Sequence, residues 1–117
     1  MAFVDYSAGL VRDYVTTLTD YLAIGTTTTE TISVTSTTIN AVITTINKVA
    51  ITYPSSKKYT VEYLLPSTAA NGYTLRRIGT KANDTTTNVI TISDVPSLDK
   101  NALIEISYNY TIEVVNT

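Results

Sequence analysis

The chain contains no histidine, no cysteine and no tryptophan. Each absence removes a class of chemistry. Histidine is the commonest general base near neutral pH and the commonest neutral metal ligand. Without cysteine there is no disulfide framework and no thiolate metal site. With both missing, zinc and copper sites are not expected. Charge is also scarce, at 15% of 117 residues against about 25% in an ordinary domain. No run approaches the roughly 18 apolar residues of a membrane-spanning helix. The first twenty residues carry Asp5, Arg12, Asp13 and Asp20 and no apolar core, so no signal peptide is read there.

What replaces charge is hydroxyl and β-branching. Threonine occurs 24 times and tyrosine nine times, beside a single phenylalanine. Thr, Tyr, Ile and Val are the strand-favouring residues, so the composition points to β structure and away from disorder. The net charge is −2, and Lys57-Lys58 and Arg76-Arg77 are the only adjacent basic pairs. That leaves no electrostatic footprint for nucleic acid or an anionic membrane. A length of 117 residues favours one domain, 1–117.

Hydrophobic spacing divides the chain. Over residues 7–21, Leu10, Val11, Tyr14, Val15, Leu18 and Tyr21 recur at steps of three and four, which predicts an amphipathic helix. Asp5 or Ser7 is the candidate cap. After Gly25 the period changes. The stretch 30–34 reads as a short edge strand, and 36–40 as either a turn or a short helix. Residues 41–53 read as a strand with Val49, Ile51 and Tyr53 on one face and a bulge where Ile46 leaves the phase of Ile43. Residues 59–65 alternate cleanly, with Tyr59, Val61, Tyr63 and Leu65 together, and 66–72 end in Asn71-Gly72, a turn signal. Strands follow at 73–79 and at 89–93, with Ile90 and Ile92 inward. Loops are read at 80–88 and 94–101, and a thirteen-residue alternating strand at 102–114. Several strands at regular spacing with one helix predict an antiparallel β-sandwich or jelly-roll-like domain over about 22–117 behind the N-terminal helix.

No motif for catalysis emerges. "IGTTTTE" (24–30) has one glycine, no lysine and its helix on the wrong side for a phosphate loop. The carboxylates stand singly; Glu105 and Glu113 share a face but lie eight residues apart. Asn83, Asp84 and Asn88 offer oxygens without the carboxylate density of a calcium loop. Asn83 and Asn109 begin N-x-[ST] triplets, which so much threonine produces by chance. No enzyme, cofactor or metal is therefore expected.

The order of "GLVRDY", "YLAIGTTTTE", "YTVEYLLPSTAANGYTLRRIGTKAND" and a closing alternating strand resembles small virion proteins of tailed phages and proviruses, often labelled tail or tail-fibre proteins. The matching positions are Gly9 to Asp13, Leu22 to Thr28, Ala69 to Gly72, and Ile78-Gly79. Thr27 stands where that pattern has a second glycine, its Ala-Pro is absent, Arg77 stands where it has a glutamate, and Thr80-Lys81 replaces Leu-Phe. The cysteine-free, Thr/Tyr/Ile-rich make-up also resembles virion and surface proteins of thermophilic archaeal viruses and their hosts.

The resemblance implies a non-enzymatic structural subunit of a virion tail, fibre base or baseplate. Such a subunit is made in the host cytoplasm and partners with itself and other virion proteins. Oligomerisation through strands and apolar contacts is the expected mechanism. Tyr108, Tyr110, Ile112 and Val114 are the candidate subunit interface, although the same alternation fits an intramolecular core face. Alternative readings are a capsid decoration or turret protein, a pilus-like filament subunit at the cell surface, and a carbohydrate-binding sandwich using Tyr73 and the 80–88 loop.

Overall fold

The computed structural model describes residues 5–33 and 35–115. One helix, α1 (Asp5–Thr16), precedes six strands: β1 (Tyr21–Gly25), β2 (Val42–Ser55), β3 (Lys58–Leu65), β4 (Thr74–Lys81), β5 (Thr91–Asp99) and β6 (Ile106–Glu113). The strands lie in the order β5-β4-β1-β2-β3-β6, and every pairing is antiparallel. The fold is mainly β with one N-terminal helix, as the composition predicts. The two-layer sandwich or jelly-roll is not confirmed: the strands form one sheet curled into a half-barrel.

β2 produces the curl. Residues 42–47 pair with β1 and residues 48–55 pair with β3, with a register irregularity between Lys48 and Ala50. One long strand thus serves two successive parts of the sheet, and the bulge increases the local twist between them. The inner face collects Leu22 and Ile24 from β1, Tyr59, Val61, Tyr63 and Leu65 from β3, and Leu75 and Ile78 from β4. The four β3 residues are fully buried, as their alternation requires.

α1 is shorter than the predicted 7–21. Thr16 and Thr17 hydroxyls donate to the carbonyls of Asp13 and Tyr14, and the following backbone bonds tighten to three-residue spacing. β-Branched residues that satisfy carbonyls locally compete with helix continuation. Tyr21 to Gly25 then gain more as a central strand. The candidate N-terminal cap is displaced as well: Ser7 lies inside the first turn, and the residue before Asp5 lies outside the described residues.

The helix docks by its small face. Ala8 is buried, and a Cβ on Gly9 would stand 3.2 Å from the Ser56 carbonyl. Arg12 donates to the Ser55 carbonyl at 2.8 Å and lies 4.5 Å over the Tyr53 ring. Tyr6, Leu10, Val11 and Tyr14 therefore face outward, with Tyr6 69% and Tyr14 65% exposed. Of the expected core stripe, Val15 packs against the central cluster.

Other boundaries move for local reasons. Residues 31–33 run as irregular chain, and residue 34 of the predicted 30–34 strand lies outside the described residues. The segment read as a loop at 94–101 belongs largely to β5, which passes through Pro96 with a register irregularity opposite Arg76. The last strand is eight residues and not thirteen. Asn101 Oδ1 accepts the Leu103 amide at 2.8 Å and turns the chain before Ile106.

On the outer face of β1 and β4, Ile39 and Asn40 lie against Gly25, and Val89 lies against Gly79. Val89 donates its amide to the Thr37 carbonyl at 2.8 Å, tying their two segments together. Small residues make room beneath them. A Cβ on Gly25 would meet the Asn40 carbonyl oxygen at 2.9 Å, and one on Gly79 would meet Thr91 O and Val89 Cγ1 at 3.0 Å. Gly25 has no positive φ, unlike Gly72 at 88°. Its glycine is set by crowding and not by a turn. Gly25→Ala is therefore expected to destabilise the fold by about 1–3 kcal/mol through overpacking against backbone. Urea unfolding of the two proteins side by side measures this.

Candidate functional site: the open seam of the half-barrel

The curl brings the two ends of the sheet together without joining them. β5 and β6 each pair on one side only. Across the gap the Tyr110 hydroxyl donates to Ser93 Oγ at 2.6 Å. Farther along, Val95, Pro96 and Leu98 of β5 face Ile106 and Tyr108 of β6 across an apolar groove of about 360 Å³.

The two free edges differ. β5 carries Pro96, which has no amide to donate, and an irregular register. Both features blunt an edge against further pairing. β6 is regular, with all eight residues matched in sequence to β3 from Lys58↔Glu113 to Leu65↔Ile106. The amide of Val114 donates to the Lys57 carbonyl at 2.8 Å. Backbone groups alternate sides along an antiparallel strand. The even positions of β6 therefore bond to β3, and the N–H and C=O of Ser107, Asn109, Thr111 and Glu113 point to the open side.

Tyr108, Tyr110 and Ile112, named from alternation, lie on the inner face and pack half-buried against the core. Val114 lies just beyond β6 and closes its ladder through its amide. Tyr108 lines the seam and Tyr110 bridges it, so these two come together at the open edge. The outer face of β6 is polar: Thr111 bonds Thr60 at 2.9 Å and Ser107 donates to Glu62 at 3.0 Å. Ser93 and the β5 side of the seam had no signal in the sequence, because only topology places them opposite β6. Tyr73 is half exposed in its turn, and Asn83 Oδ1 caps the amides of Thr85 and Thr86. Among the described residues, no group of three or more acidic, histidine or cysteine side chains is placed to hold a metal ion.

Behind the seam, the tyrosine hydroxyls are held by one buried threonine. Thr19 Oγ1 shares a hydrogen bond with Tyr59 OH at 2.8 Å, and Tyr63 OH donates to the Thr19 carbonyl. Burial raises the phenol pKa of Tyr59, Tyr63 and Tyr108 above the ordinary 10, and for Tyr63 the neighbouring Tyr59 adds to the effect. Comparison with protein-family models, curated proteins and solved structures returns no match to this chain.

A raised folded-state pKa on an acid has one sign of consequence. The folded protein keeps protons that the unfolded chain releases, so the stabilisation is complete below about pH 10 and falls as pH rises through the folded values. Each such tyrosine is expected to remove up to about 1.4 kcal/mol of stability per pH unit above ~10. Absorbance at 295 nm should show the buried phenols ionising together with unfolding, after the exposed ones.

Proposed function

We propose that this chain is a non-enzymatic structural subunit that self-associates through the free edge of β6, in the role of a virion tail, fibre-base or baseplate component. The observation that carries the assembly reading is the regular, proline-free β6 edge beside an apolar groove, set against a β5 edge blunted by Pro96. A long regular edge is a template for another strand. The virion role rests on the sequence resemblance described above.

Register follows from charge and hydrogen-bonding parity. Pairing of two β6 strands about a two-fold axis must match odd positions with odd positions. Centring on Asn109 would set Glu105 against Glu113 of the partner subunit, twice, and like charges directly opposite are unfavourable. Centring on Tyr110 sets Ser107 against Glu113 of the partner subunit and Asn109 against Thr111 of the partner subunit, with no repulsion. That is the register proposed. The outward stripe of Tyr6, Leu10, Val11 and Tyr14 on α1 supplies the second patch that an assembly larger than a dimer requires.

Asn109→Pro tests the reading, because it removes an outward amide and leaves both the β3–β6 ladder and the Thr60–Thr111 hydroxyl pair intact. Analytical ultracentrifugation is expected to show dimers or larger species for the parent. For the variant it should show self-association weakened by at least about tenfold, roughly 1.4 kcal/mol, with the melting curve nearly unchanged. A parent chain that stays monomeric up to high micromolar concentration would overturn the proposal. Antibody detection of the chain in purified virus particles, or its absence from them, tests the virion role separately.

A further inference from the structure

The described residues include three buried cations, and two of them are fully explained. Arg77 bonds Asp94 at 2.5 Å and the Glu30 carbonyl at 2.8 Å. Lys100 directs its ammonium at Asn71 Oδ1, the Asn101 carbonyl and the Ser67 carbonyl, at 2.9, 3.0 and 3.4 Å, and so holds the 66–72 turn. The third is Lys81. It is only 6% exposed, yet its ammonium makes no hydrogen bond or ion pair with any described residue. No buried side-chain nitrogen is wholly sealed from solvent without a partner, so the Lys81 ammonium reaches open space.

That space is a cleft of about 290 Å³ on the outer face of β1 and β4. Ala23, Ile39, Val42 and Val89 form an apolar floor, and the run Thr85 to Thr87 supplies hydroxyls. Asp84 also borders the cleft; it is exposed and forms no ion pair with Lys81. An ammonium so largely withdrawn from water, with no protein counter-charge, gains from an anion that enters the cleft beside it.

We propose that this cleft binds a small monocarboxylate, its carboxylate on Lys81 and its short apolar body on the Ala23–Ile39–Val89 floor. The Thr86 and Thr87 hydroxyls donate to the second carboxylate oxygen, because the Thr85 hydroxyl already donates to Asn83 Oδ1 at 2.9 Å. Asp84 at the rim repels a second negative charge, so inorganic phosphate and dicarboxylates are disfavoured. The volume lies at the lower end of ligand pockets, which limits the guest to a few carbons. The site lies on the opposite face of the sheet from the core that lines the seam, and it stands independently of the assembly reading.

The probe is hexanoate, titrated into uniformly ¹⁵N-labelled protein and followed by amide shifts. Saturable shifts confined to residues 81–89, Ala23 and Ile39 are expected. Hexanol, which has the same chain without charge, and inorganic phosphate should each bind at least about tenfold more weakly. Lys81→Met should lose hexanoate by a similar factor while keeping a dispersed spectrum, and Asp84→Asn should bind it several-fold more tightly. The second variant keeps the test decisive if Lys81→Met does not fold. Equal binding of hexanoate and hexanol, or no saturable shift, would overturn the proposal. So would a loss of binding in Asp84→Asn, because removing a negative charge from the rim must strengthen the binding of an anion held on Lys81.

Discussion

The buried hydroxyl junction at Thr19 is the constraint from which the rest of the half-barrel is arranged. Two tyrosines on one face of β3 bury their rings in the core, and each carries a polar group that must find a partner. Thr19 meets both, one through its hydroxyl and one through its carbonyl. That fixes the point where the chain leaves α1 and enters the sheet. The next residue, Asp20, accepts the Lys48 amide on its carbonyl and pairs its carboxylate with the Lys48 ammonium. The start of β1 is thereby keyed to the middle of β2, where that strand changes partners.

From that keyed position the sheet has to curl, because β2 offers its two halves to different neighbours. A curled sheet of six strands buries one face well but leaves its ends apart. The molecule treats the two ends differently. At β5 the proline and the irregular register restrain pairing; at β6 nothing does, apart from charges near the strand's ends. The same economy of side chains runs through the outer face. There, glycines at 25 and 79 and an alanine at 23 let connecting segments lie directly on the central strands. β1 is therefore buried on both faces within a single sheet.

Much of the fold was legible in the sequence where local pattern and tertiary demand agree. The alternation of Tyr59, Val61, Tyr63 and Leu65 named a buried face because β3 is an inner strand with one wet side. The break in phase between Ile43 and Ile46 matches the irregular pairing of Thr44 and Val42 with β1. Val49, Ile51 and Tyr53, however, do not share a face as expected. The register shifts again between Lys48 and Ala50, leaving Val49 exposed while Ile51 packs against the core. The helix was legible as an element, but its orientation was not. Leu10, Val11 and Tyr14 form the larger apolar stripe, whereas the docked face is the one where Gly9 closely approaches the Ser56 carbonyl and Ala8 is buried. The segment 94–101 reads as a loop in the sequence, and only the topology shows that most of it belongs to an edge strand, where Pro96 is tolerated. Alternation at 102–114 overstated β6 because the Asn101 side chain, not hydrophobic period, sets where it begins. The β6 residues named as contacts could be placed on one face from the sequence. Which backbone groups face outward depends on pairing with β3, and no local pattern carries that.

The position of β1 also bears on how the protein is made. It is the first strand in the chain, yet its neighbours in the sheet are β2 and β4. During synthesis the β2–β3 hairpin can close locally, with α1 resting on its turn. β1 gains its second partner only after residue 81 has emerged, since its pairing runs from Tyr21↔Lys81 to Gly25↔Arg77. Contacts so distant in sequence carry a loop-closure cost and slow folding. Until residue 113 follows, β3 is itself an unpaired edge, with Lys58 and Glu62 as its charged guards. On a polysome, neighbouring nascent chains would present that edge to one another before β6 arrives to cover it. Translation rate, and not only sequence, then bears on whether each chain first pairs with itself or with its neighbour.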